Sequence, residues 1–147
     1  MKRVFRYGRA ESRSMPSPES SGDHGKILAA VAEQLSEVID GSHQSVYIYL
    51  DDINKVCNRR FASLLGYKSP REWAIVKENF PDAFVSRQSQ RTLISAYQDA
   101  MSKFVASTIK VTWKSKDGRE VDTTTILVPF AYRGHTMALH FIEATAT

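Results

Sequence analysis

The chain has 147 residues, 42% hydrophobic and 24% charged, with a formal net charge of +4 and one cysteine. That length supports one domain with a real core plus an appendage, and leaves no room for two full domains. The composition excludes an internal disulfide, a membrane-crossing apolar run and a secretory leader, so the cytoplasm is the expected compartment.

The charge is unevenly placed. Residues 1–24 hold five basic and three acidic residues, which is half of the excess. The rest of the chain is too balanced to build a surface that tracks phosphates, so no direct nucleic-acid partner is expected. The same 24 residues are rich in Ser, Pro and Gly and read as a flexible polar leader. From residue 25 to 41 the pattern becomes helical. Leu28, Val31, Leu35 and Val38 recur at spacings of three and four, with Ile27, Ala32 and Ile39 widening the stripe and Glu33, Gln34 and Glu37 opposite.

Val46 to Leu50 alternates Tyr47 and Tyr49 with aliphatic residues, and Ile53 to Cys57 follows the polar pair Asp51-Asp52, which together predict a hairpin. Asn58 is placed to cap a short helix carrying Phe61, Leu64 and Leu65, with Gly66 as its stop. Ser69-Pro70-Arg71-Glu72 is a strong helix start, with Ser69 as N-cap, Pro70 in the first helical position and Glu72 completing a capping box. Asn79 to Val85 predicts a turn or one helical turn. A longer helix over Ser86 to Phe104 carries Leu93, Tyr97, Ala100, Met101 and Phe104 on one stripe.

The last third predicts an antiparallel meander from Ser107 to Glu143. Ile109, Val111 and Trp113 alternate with polar residues, and Asp117-Gly118 has the composition of a turn with two positive-φ positions. Val121 to Phe130 returns, with Pro129 marking an end or an edge. Arg133-Gly134 makes the next turn, and Thr136 to Glu143 has apolar residues on both faces, so both sides of the sheet need cover.

This order of elements over residues 45–144 resembles the PAS domain, an α+β fold with a five-stranded antiparallel sheet and a helical layer on one face. Cys57-Asn58-Arg59-Arg60-Phe61 is similar to the start of the first PAS helix, Leu64-Leu65-Gly66-Tyr67 to its close, and Trp113 to Gly118 to the family's lysine-aspartate-glycine hairpin. The resemblance implies a cavity between sheet and helices. Trp73, Phe80, Phe84, Tyr97, Met101, Trp113 and His140 are the candidate lining of a ligand pocket, although residues of this kind at these spacings are more often core. The resemblance also implies a homodimer through the preceding amphipathic helix, with Leu28, Val31, Leu35 and Val38 as the interface.

Cofactor readings fare less well. Haem would need the family's histidine on the long helix, and Ser86 to Phe104 has none. The flavin subgroup needs a cysteine in the stretch that aligns with Asn79 to Val85, and Cys57 lies one strand too early. No cofactor and no metal site are expected. No phosphate loop or catalytic elbow is present, and Asp51-Asp52 reads as a turn, so no enzyme activity is expected. The expected function is a non-enzymatic sensory or interaction domain of signal transduction that acts by binding an unidentified small molecule, by protein–protein association or by both, with output from a partner protein or a domain outside this chain. The alternative is a haem- or flavin-binding redox or light sensor.

Overall fold

The structure is a computed structural model and describes residues 18–145. Its helices are α1 (Pro18–Gln34), α2 (Ser36–Gly41), α3 (Arg59–Leu64), α4 (Pro70–Ala74), α5 (Phe80–Phe84) and α6 (Arg87–Lys103). Its strands are β1 (Ser45–Tyr49), β2 (Lys55–Cys57), β3 (Ser107–Lys114), β4 (Glu120–Tyr132) and β5 (His135–Ala144). They form one antiparallel sheet in the order β2-β1-β5-β4-β3. Chain-terminal and chain-initial strands are therefore neighbours at its centre, with Tyr47 paired to His140 and Tyr49 to Ala138.

The period-two pattern of the strands sorts their side chains onto two faces. On the inner face Tyr47, Tyr49, Cys57, Val111, Trp113, Leu127, Ala138 and Ile142 pack under α3 to α6 with Phe61, Leu65, Trp73, Phe80, Phe84 and Leu93. On the outer face Val46, Ile48 and Met137 pack under α1 and α2, against Ile27, Leu28, Val31 and Ile39. The sheet thus has helices on both sides, and the outer cover comes from this same chain.

The expected leader and single helix differ from what is found. Residues 1–17 of the leader lie outside the described residues, and the helix begins at Pro18. It is divided at Leu35, where φ −100° and ψ 17° bend the path. Ile39 is thereby turned onto β1 while Val38 stays 42% exposed. Of the predicted stripe, Leu28 and Val31 are buried on the chain's own sheet, Leu35 is half-buried and Val38 faces out.

Local signals elsewhere hold with one exchange. Ser69 Oγ accepts from the Glu72 N–H at 3.1 Å, and Glu72 Oε1 reaches back to the Lys68 N–H at 2.6 Å. Asp117-Gly118 does not supply two positive-φ residues, because only Gly118 is left-handed, at φ 88°. Residues 115–119 form a wider loop closed by Ser115 N–H to Arg119 C=O at 2.8 Å and by the Ser115 hydroxyl on the Asp117 carboxylate. Arg133 and Gly134, at φ 50° and 79°, make the tight two-residue turn instead.

Pro129 lies inside β4, opposite Ala138, and ends nothing. β3 pairs with β4 only up to Leu127. Residues Val121, Thr123, Thr125 and Leu127 turn their amides toward β3, so position 129 would turn its amide toward a neighbour that has already stopped. The missing N–H of proline costs no ladder bond there.

Candidate functional site

The candidate pocket residues converge, and Tyr47 is the residue around which they do so. Its ring stacks on His140 with centroids 3.9 Å apart and planes 10° apart, and on Phe61 at 4.9 Å and Phe80 at 5.5 Å. Trp73 and Trp113 approach it at 5.7 Å each, the latter edge-on. Edge-to-face and offset contacts of this kind add about 0.5–1.5 kcal/mol per pair beyond area burial. Trp73, Phe80, Phe84, Trp113 and His140 have no solvent exposure, and Tyr97 is nearly as buried. Met101 packs at the margin. The space between sheet and helices is occupied by aromatic side chains.

Polar groups are threaded through this interior. Trp113 Nε1 donates to Thr123 Oγ1 at 2.9 Å, and the Thr123 hydroxyl donates to the Val111 carbonyl at 2.8 Å. The Tyr49 hydroxyl donates to Asp52 Oδ1 at 2.7 Å, which also accepts the Phe80 N–H at 3.2 Å. Trp73 Nε1 is buried with no hydrogen-bond partner among the described residues. His140 is held neutral, because burial pushes its value down to about 3 against the bonds near Tyr47 and Ala138 that favour the charged form.

Lys55 was not anticipated from the sequence. It shares the inner face with Cys57, and its Nζ donates to the carbonyls of Asp52 at 2.6 Å, Ala74 at 3.2 Å and Val76 at 2.6 Å. The ammonium also lies 5.5 Å from the Trp73 ring centroid. Burial lowers its value to about 8, opposed by the charges of Asp52 and Asp51. The group closes the C-terminal end of α4 from the strand below, as a cation near a helix C-terminus does. The one signal for it was parity: a lysine two residues before a buried cysteine on a short strand points inward. Cys57 itself is buried, its thiol pushed up to about 12 by desolvation, which leaves it inert.

The Asp51-Asp52 pair is a turn, as the spacing implied. Asp51 Oδ1 accepts from the amides of Ile53 at 2.9 Å and Asn54 at 2.7 Å. Its Oδ2 meets His24 Nδ1 at 2.7 Å, tying α1 to the β1–β2 turn. Asn58 makes a second and larger tie. Its Oδ1 accepts from Val46 N–H at 3.1 Å and Phe61 N–H at 3.0 Å, while its Nδ2 donates to the carbonyls of Ile39 at 2.8 Å and Gln44 at 3.0 Å. One buried amide therefore joins α2, β1 and α3.

Beside it runs an open groove of about 990 Å³ between Asp40, His43, Arg59, Arg60, Pro70 and Glu143, whose charges are mixed. No group of three or more metal-binding side chains occurs among the described residues, and none of their helices is long and apolar enough to cross a membrane.

No protein-family model matches the chain, and no curated protein matches it by sequence. Solved structures do match by shape. The PAS domain of a protein from Colwellia psychrerythraea superposes with a TM-score of 0.61 at 15% identity, over 78% of this chain and 97% of that one. The PAS domain of an HTR-like protein from Haloarcula marismortui gives 0.55 at 17% identity, over 84% and 99%. The PAS domain of nitrogen regulation protein NR(II) from Vibrio parahaemolyticus gives 0.56 at 16% identity, over 75% and 96%. The strand order, the layer of α3 to α6 over the inner face and these superpositions agree that the chain has the PAS fold.

Proposed function

We propose that this chain is a non-enzymatic sensory or interaction module of signal transduction that reports by changing how it associates. The observation that carries the reading is the interior. Where this fold can hold a ligand, Tyr47, Phe61, Trp73, Phe80, Trp113 and His140 pack against one another. A small molecule would enter only by displacing aromatic rings, and the buried Trp73 indole N–H is a donor it could use. The PAS domain of a nitrogen regulation protein shares the fold, which favours a regulatory setting with an output partner or domain.

The associating surface we propose is a homodimer formed across the outer face. Leu28 and Val31 fasten α1 to the sheet of its own chain. Leu35, Val38, Ile126 and Phe141 remain partly or largely open, and they would meet a second copy. Because Asn58 bonds the backbone of α2 to that of β1 and α3, a shift of the interior reaches this surface through hydrogen bonds already in place.

Light scattering and an absorbance spectrum test both parts. A dimeric mass at tens of micromolar that falls to a monomer in Val38→Glu, with a spectrum flat above the aromatic band, is the expected result. A monomeric wild type removes the homodimer, and a Soret or flavin band after expression with cofactor supply overturns the cofactor-free reading.

A further inference from the structure

Strand β3 is an edge of the sheet, and Thr112 shows which of its backbone groups face outward. The Thr112 N–H donates to Ser89 Oγ at 2.8 Å and its C=O accepts the Ser86 N–H at 3.0 Å, so both point away from β4. The ladder between β3 and β4 runs without a bulge from Ser107 opposite Leu127 to Lys114 opposite Glu120. With the period of two preserved, the N–H and C=O groups of Thr108 and Lys110 point the same way as those of Thr112. Ser86 and Ser89 cover Thr112, and no described residue bonds those four groups of Thr108 and Lys110.

Two further features mark this half of the edge. Lys110 is exposed and has no acidic partner among the described residues. Phe104, just before the strand, holds φ 57° as the C-cap of α6, a conformation that glycine adopts at least cost. Its ring is 57% exposed and Val105 is 43% exposed. An aromatic residue is kept in a strained position without the compensation of burial.

We propose that Ser107 to Lys110 is a strand-addition site for an extended peptide that sets an acidic residue opposite Lys110 and a β-branched residue opposite Thr108. Main-chain bonds to Thr108 and Lys110 supply the attachment, and alternate side chains supply the choice of partner. A second copy is the poorer occupant: antiparallel pairing of two such edges about Ile109 sets Thr108 against Lys110 and leaves both lysines unmatched. This site rests on the proposed interaction role and adjoins the proposed dimer face, since Thr108 stands opposite Ile126; peptide binding is read on the outward amides of the edge and dimerisation by mass, with Val38→Glu acting on the second alone, so the two can fail separately.

The probe is a fluorescein-labelled pentapeptide, Thr-Val-Glu-Val-Thr, titrated by polarisation and mapped by amide chemical shifts. Shifts centred on Thr108 and Lys110 are expected, with affinity about fivefold lower when the peptide Glu is Lys. Methylating the peptide amides that face the edge keeps every side chain and should weaken binding about tenfold or more. Thr108→Pro removes an outward donor while leaving the β4 ladder, and should do the same. If that variant misfolds, the methylated peptide still decides. Equal binding by the methylated peptide, shifts centred instead on Val38 and Phe141, or no binding at millimolar peptide overturns the site. A concentration-dependent dimer that Thr108→Pro abolishes reassigns the edge to a second copy and also overturns it.

Discussion

On the inner face of the sheet Tyr47, Trp113 and His140 have no exposure, whereas on the outer face Ile126 is 38% exposed and Leu139 and Phe141 are only half covered. The inner face is closed by helices α3 to α6, which the chain delivers between β2 and β3 and which its own strand connections hold in place. The outer face is closed by α1 and α2, which precede the sheet and are fastened by a few bonds through His24, Asn58 and a small apolar cluster. One face stores the stability, and the other is the one that can change at low cost.

The sharpest way to break that distinction is truncation on each face. Trp113→Ala should cost about 3–5 kcal/mol, since it empties a packed site and strips Thr123 of a donor, while Ile126→Ala should cost less than about 1 kcal/mol. Chemical denaturation measures both, and similar costs would mean the faces do not differ.

Acid titration sharpens the contrast further. His140 is near 3 in the folded chain and 6.5 when unfolded, so the unfolded state takes up its proton first as pH falls. Its contribution is intact above 6.5 and is lost progressively toward 3, by up to about 1.4 kcal/mol per pH unit. Stability of the wild type should fall more steeply over that window than that of His140→Gln, measured by denaturant midpoints at successive pH values. Parallel slopes would show that the inner face hydrates before it titrates.

The smallest effect concerns an aromatic that lies on neither face. Phe104→Gly relieves a left-handed φ and gives up little burial, so it should raise stability by about 0.5–1 kcal/mol, visible as a small rise in thermal midpoint. A loss instead would mean that the Phe104 ring covers something in the folded chain.

Much of this architecture was legible because its signals are local. Ser69-Pro70 with Glu72, Asn58 as a cap and the alternation of β3 each need only a few neighbouring residues to act. What was not legible depends on residues far along the chain. Lys55 is buried because the carbonyls of Ala74 and Val76 lie above it, and nothing within its own strand announces them. Tyr47 read as one of two alternating tyrosines, and its central place follows only once His140 is paired beside it. Asp117-Gly118 misled for the opposite reason: the dipeptide favours a tight turn, but the Ser115 and Asp117 side chains organise a longer loop.

All four side-chain bonds of Asn58 end on backbone atoms, at Ile39, Gln44, Val46 and Phe61. None of them depends on which side chain those positions carry. The tie between α2, β1 and α3 is therefore set by backbone position alone, separately from the burial that fixes the side chains of Ile39, Val46 and Tyr47. That tie tolerates no exchange at position 58, since aspartate keeps the acceptor and loses the donors, and leucine loses both.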